Sequence, residues 1–256
     1  MTFEARYEFQ AAARIDGEEL AGAIRTFQPS DTFALAFDNH FVRVPHHAAL
    51  NPASDSFTIE AWAKLTAADN AGDAWDLIIA KRAPNGYYLG MRRGHGWNFM
   101  LRDDQGKRTD TQSDRPIAEI YDRWVFVQAV IDRQNQRQIL RVYDPQQTAW
   151  HEAAVSPPGN IGASHDLYFG KDVDAGQFPI HGQLGPIRFW RKSRTREDAE
   201  ADMNARLAGG EPGLVGYWPM HEAVGNQLAD TSAAANHGTI VGALWTARTR
   251  EDEQEK

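Results

Sequence analysis

Apolar and polar residues alternate with a period of two through most of this 256-residue chain, which leaves it few folds to choose from. In SFTIEAWAKL, Phe57, Ile59, Ala61, Ala63 and Leu65 alternate with Thr58, Glu60, Trp62 and Lys64. Successive side chains of a strand point to opposite faces, so the segment reads as a half-buried strand whose second face carries a Trp between two charges. WVFVQAVID, Trp124 to Asp132, has apolar groups on both faces, as a central sandwich strand would. Shorter runs of the same kind recur: DLIIAK, YYLGMR, WNFMLR, QILRVY, DLYFG, IRFW and TIVGALW. Turn formers such as PNG, GHG, DDQG, DPQQ and SPPGN separate them. Many short strands with turn chemistry between them predict an all-β fold, an antiparallel two-sheet β-sandwich or a barrel.

One segment breaks the pattern. SRTREDAEADMNARLAGG places Ala199, Met203 and Leu207 at i, i+4 and i+8, with Thr195 and Asp198 as a capping pair and Gly209-Gly210 as a stop. This predicts one short surface helix near 195–208, packed on the sandwich. Residues 1–32 form an N-terminal extension that reads as a hairpin turning at Asp16-Gly17 or as a strand followed by a short helix; the hairpin is preferred. The main domain is expected over 33–245. Residues 246–256 are charged, have nothing to bury, and read as a disordered tail.

Charge and composition exclude several classes. There is no cysteine, so disulfides, thiolate metal sites and a cysteine nucleophile are ruled out together. The net charge is −8, and KRTDTQSDRP and RKSRTREDAEAD mix basic with acidic residues, so no phosphate-tracking surface and no nucleic-acid partner are expected. No run approaches the ~18 apolar residues of a spanning helix, so no transmembrane segment is expected. The first residues lack the apolar core of a secretory signal; the expectation is a cytoplasmic protein or one exported by a non-classical route. The glucanase pattern E-x-D-x-x-E, which sets a nucleophile and a general acid on one strand face, does not occur; EADMNA from Glu200 lacks its last Glu and lies in the helical segment. H-E-x-x-H, G-x-S-x-G and G-x-x-x-x-G-K are missing too, so no enzyme is expected.

Two kinds of site remain. Calcium takes carboxylates and carbonyls from loops, and Asp38, Asp172, Asp174 and Asp230 are the oxygen-rich candidates; the alternative for each is an Asx-turn. His46-His47 cannot clasp one ion from a strand, because neighbours point apart. Among the tryptophans, Trp124, Trp190 and Trp218 sit in apolar runs and read as core, whereas Trp75, Trp97 and Trp150 have polar or glycine neighbours. Saccharide sites pair an aromatic ring with carboxylates, amides or arginines. NGYYLGMRRGHGWNFMLRDD concentrates such groups, and Tyr87, Arg92, Trp97, Asn98 and Asp103 are the carbohydrate-binding candidates.

GLVGYWPMHEAVGNQLADTSAAANHGTIVGALW resembles the closing segment of laminin G-like jelly-roll domains, in the concanavalin A-like lectin/glucanase superfamily. The residues that carry it are Gly213 to Pro219, Glu222, Gly225-Asn226, Asp230, Asn236, Gly238-Thr239 and Trp245. LAFDNHFVRVP, SFTIEAWAKL and GQLGPIRFWRKSRTREDAEADMNARL are similar to further segments of the family, so the resemblance spans Phe33 to Trp245 in family order. It implies a concanavalin A-like jelly roll with Tyr217 and Trp218 on a core strand. Two departures weaken a family calcium site: Pro186 follows Gly185 where many relatives carry an acid, and Asn39 stands for glycine after Asp38. A proline inside this strand must sit at an edge or a bulge. The resemblance implies a non-catalytic lectin-like protein whose partner is a glycan or glycoconjugate. Weak single sites, of millimolar to micromolar order, would gain avidity as a homo-oligomer. The alternative is a protein-interaction module, such as a structural subunit or the receptor-binding component of a two-part toxin; a glycan-active enzyme comes last. Family members are often extracellular.

Overall fold

The computed structural model describes residues 33–67, 75–82, 84–113, 120–174, 176 and 178–248, and the backbone of the strands before them. Those early strands are β1 (Tyr7–Phe9), β2 (Ala12–Ile15), β3 (Glu18–Ala21) and β4 (Arg25–Phe27). They pair antiparallel as β1 with β4 and β2 with β3, Ile15 lying opposite Glu18. Asp16 and Gly17, where the hairpin turn is expected, lie outside the described residues.

The rest is a sandwich of two antiparallel sheets. The first orders its strands as β11 (Arg108–Gln112), β10 (Gly96–Arg102), β9 (Gly86–Arg92), β8 (Trp75–Arg82), β15 (Leu167–Phe169), β6 (Phe41–Val44), β19 (Gly238–Val241) and β18 (Gln227–Leu228). The second runs β14 (Ala149–Val155), β13 (Arg137–Asp144), β12 (Val125–Asp132), β7 (Phe57–Leu65), β16 (His181–Trp190), β5 (Thr32–Asp38) and β20 (Leu244–Arg248), and β17 (Leu214–Trp218) also pairs with β16. The last strand continues to Arg248, three residues into the stretch expected to be a tail, because it pairs along β5 as far as Thr32. Residues 249–256 lie outside the described residues.

The inward faces supply one core, including Phe57, Ile59, Leu89, Phe99, Val127, Phe169, Phe189 and Trp218. Phe189 and Trp218 meet edge to face with centroids 5.6 Å apart, and Trp218 Nε1 donates to the Asn236 carbonyl. The expected core strand is therefore in place, with Tyr217 on its other side packed with Trp190 and Leu214.

Pro186 sits where a missing N–H does least harm. The β16–β7 register shifts between Leu184 and Ile187, and there β16 changes its other neighbour from β5 to β17. The proline thus marks a bulge, as its inability to donate requires.

The second face of β7 departs from expectation. Glu60 and Trp62 are buried, not half-solvated, because helix α1 (Arg196–Asp202) packs on that face. Trp62 joins Trp124, Phe126 and Ala199 in a small cluster and donates from Nε1 to the Met203 carbonyl. Thr195 and Asp198 form the expected capping box. The helix ends at Asp202, short of Gly209, and Arg188 of β16 and Arg194 of the loop before the helix take carbonyls within and just after it. Arg188 Nη2 donates to the carbonyls of Asp202 and Ala205, and Arg194 Nη2 to that of Asp198. These acceptors would otherwise need a continued turn or a glycine cap.

Candidate functional site

Strand parity in the β9–β10 hairpin decides which side chains can meet a ligand. Tyr87, Leu89 and Met91 on β9 and Trp97, Phe99 and Leu101 on β10 all point into the core. Tyr87 is 0% exposed, donates to the Leu50 carbonyl at 2.7 Å and touches Phe57 and Phe189. Trp97 is 1% exposed and borders a narrow crevice between the sheets with Ser113, Ile120, Val142, Asp144 and His151. Neither ring can present a face to a saccharide, which corrects two of the five carbohydrate candidates. Asp103 is a third: its carboxylate accepts from the backbone N–H groups of Gln105, Lys107 and Gly159. Burial works against its charge, but these donors hold its carboxyl below the usual range and commit it to fastening the turn.

Arg92 and Asn98 lie on the opposite, outward face, and parity shows what accompanies them. Trp75 stands beside Arg92, with the guanidinium 5.6 Å from the indole centroid. In the next row Asn98 and Leu77 flank Gly90. A third row runs Asp110, Met100, Tyr88, Ala80 and Tyr168. A fourth contains Arg108, Arg102 and Arg82. Four rows two residues apart span about 20 Å along the strands.

The floor of this face is apolar and buried: Leu77, Ala80, Tyr88 and Met100. Tyr88 is wrapped by its neighbours, with Trp75 edge-on at 5.3 Å, Arg82 5.3 Å from its centroid, and Arg108 Nη2 donating to its hydroxyl at 3.1 Å. Burial pushes its phenol well above the ordinary value, so it stays a neutral donor. Trp75, Arg82, Arg92 and Arg102 form a half-exposed margin. Asn98 is buried and its Oδ1 has no hydrogen-bond partner. An indole face covers sugar C–H groups, while guanidinium and amide groups meet hydroxyls. The signal for Tyr88 lay in the alternation, since Arg92, Asn98 and Arg102 share its parity; Trp75 lies before the β8 bulge, where the alternation shifts.

The calcium candidates are not gathered. Asp38 is exposed and pairs with His181 at 2.9 Å. Asp172 is buried against Arg82 at 2.6 Å, and Asp174 meets Tyr168 and His165. Asp230 accepts from the backbone N–H groups of Tyr217, Ser232 and Asn236, an Asx-type brace for the closing loop. Among the described residues no group of three or more histidines and acids is placed to hold a metal ion. These residues lie apart from one another and so do not make up one calcium site.

A buried lysine adds a pH dependence to the same sheet. Lys81 donates to the His165 carbonyl and to His46 Nδ1. Burial lowers its pKa from 10.5 to about 8, opposed by Asp166 and Asp174. Between those values the unfolded chain binds more protons, so stability rises with pH across the window and is lost as pH falls through about 8. Unfolding titrations of wild type and Lys81→Met should show wild type gaining up to about 1.4 kcal/mol per pH unit over the variant in that window. A constant difference between them would contradict the assignment.

A laminin G-like family model, described as the concanavalin A-like lectin/glucanases superfamily, matches residues 38–200. No curated protein sequence matches the chain. Among solved structures, a putative carbohydrate binding protein from Bacteroides ovatus superposes with a TM-score of 0.64 at 18% identity, covering 90% of this chain and 66% of that one. The enzymatically active domain of tailspike protein 2 from bacteriophage CBA120 superposes with a TM-score of 0.51 at 13% identity, over 79% of this chain and 35% of that one. The chain thus spans less than two thirds of the length of these relatives, and at such identities they bear on the fold. No helix among the described residues is long and apolar enough to cross a membrane.

Proposed function

Because this chain belongs to the laminin G-like family of the concanavalin A-like lectin/glucanases superfamily, we propose that it is a non-catalytic saccharide-recognition protein that binds on the outward face of β8 to β11. The observation that carries this reading is the half-exposed Trp75 indole beside the half-exposed Arg92. The indole covers the C–H side of a sugar ring, and the half-exposed Arg92 donates hydrogen bonds to its hydroxyls. A non-catalytic role is supported by the carboxylates nearest this face. Asp110 is held by Arg108 at 2.7 Å and Asp172 by Arg82. A retaining glycosidase instead needs a carboxylic acid of raised pKa about 5 Å from a second carboxylate.

A broad glycan array tests the reading. Saturable binding to a related set of glycans is expected, and Trp75→Ala should weaken it at least tenfold, about 1.4 kcal/mol, while the protein still unfolds cooperatively. A blank array would remove the reading.

A second reading has its own observation. Val224, Val241 and Leu244 are exposed, Leu244 by 69%, around the β19–β20 turn, where Trp245 Nε1 donates to the Gly225 carbonyl. Grouped apolar residues of this kind favour a protein contact. Sedimentation against concentration, with Leu244→Asp as the control, tests whether a second copy is that contact.

A further inference from the structure

We infer that the outward face of β8 to β11 selects acidic saccharides, those bearing carboxylate or sulfate groups; the inference rests on the saccharide-binding reading above. The chain as a whole is acidic, with 35 Asp and Glu against 27 Lys and Arg. Counted over the outward strand positions alone, its first sheet reverses that balance. Following the alternation from Tyr88 and Met100, the charged outward strand positions are Arg43, Arg82, Arg92, Arg102 and Arg108, against Asp110 alone. All the cations are arginines, whose planar fork matches a carboxylate or sulfate with two parallel hydrogen bonds.

Arg102 is the critical member. Asp166 serves Arg43, Asp172 serves Arg82 and Asp110 serves Arg108, so each of these charges has a carboxylate within 2.7 Å. Arg102 has no ion-pair partner among the described residues, and the residue directly opposite it on β11 is Arg108. Like charges directly opposite on paired strands destabilise the sheet. A local conflict of this kind marks positions kept for function. An anionic group seated on Arg102 would supply the counter-charge it lacks, as Asp110 does for Arg108 with two hydrogen bonds. The Trp75 row lies three rows away, about 20 Å along the strands, so an oligosaccharide can engage both ends.

Titration calorimetry with tetragalacturonate, a heparin tetrasaccharide and cellotetraose tests this, with tripolyphosphate as a non-sugar polyanion. At least one acidic tetrasaccharide should bind tenfold or more tightly than cellotetraose. Which one does so tells carboxylate from sulfate. Arg102→Gln should reduce that ratio at least tenfold without lowering the melting temperature, because it removes an opposed charge. Cellotetraose binding as tightly, with dependence on Trp75, would overturn the inference and leave the saccharide reading intact. Tripolyphosphate binding as tightly as the acidic sugars, or a ratio unmoved by Arg102→Gln, would also overturn it. If no saccharide binds, both fall.

Discussion

Glu60→Ala is expected to lower the unfolding free energy by about 3–5 kcal/mol, the range for breaking one side of a buried ion pair. Glu60 is fully buried on β7 and lies opposite Gln128 on one side and Arg188 on the other. Its carboxylate accepts from Gln128 Nε2 at 2.9 Å, Trp190 Nε1 at 3.0 Å and Arg194 Nε at 2.9 Å. Arg188 and Arg194 also share Asp202 at the end of α1. Two cations therefore face two anions beneath the helix. Burial opposes the Arg194 charge, and Glu60 and Asp202 overcome it. Removing Glu60 leaves a buried guanidinium short of its counter-charge and an indole N–H without an acceptor, and it loosens α1. Urea unfolding gives the free energy directly, and the melting temperature should fall on the order of 10 °C for a chain of this size. A loss below 1 kcal/mol would show that the network is solvated and that α1 does not seal it.

The second large effect distinguishes core from site. Trp97→Ala should cost about 3–5 kcal/mol in stability, as large-to-small changes at buried aromatics do. The side chain is packed between the sheets with Phe99 and Leu101 as its strand neighbours. Its loss should therefore appear in unfolding, at any ligand concentration. A Trp97→Ala protein with wild-type stability and selectively weakened glycan binding would return this residue to the site.

Why some of this was legible and some was not has a physical explanation. The centre of the second sheet was, because Val125–Asp132 and Phe57–Leu65 carry apolar residues at strand period and pair with each other. Pro186 was, because a residue without an N–H restricts its place in any ladder. Asp230 was left between calcium and an Asx-turn, and three backbone donors fill its oxygens. The covered face of β7 was not legible, because Glu60 looks like a solvated charge until Arg194, 134 positions away, reaches it. The site was half legible. The segment from Tyr87 to Asp103 does border the outward face, but choosing its most conspicuous aromatics ignored parity. A shift of one residue moves every side chain to the other face. Trp97 shares its face with Phe99 and Leu101, whereas Arg92 and Asn98 share theirs with Trp75 and Tyr88.

The most direct test of the central claim is to follow the indole N–H resonances of the tryptophans while titrating the best glycan from the array. The outward-face account expects the Trp75 resonance to shift in a saturable way, with the side chain of Arg92. The buried Trp62, Trp97, Trp124, Trp190 and Trp218 should stay in place. Saturable binding that leaves Trp75 unmoved, or that shifts Trp150 or Trp245 instead, would contradict it.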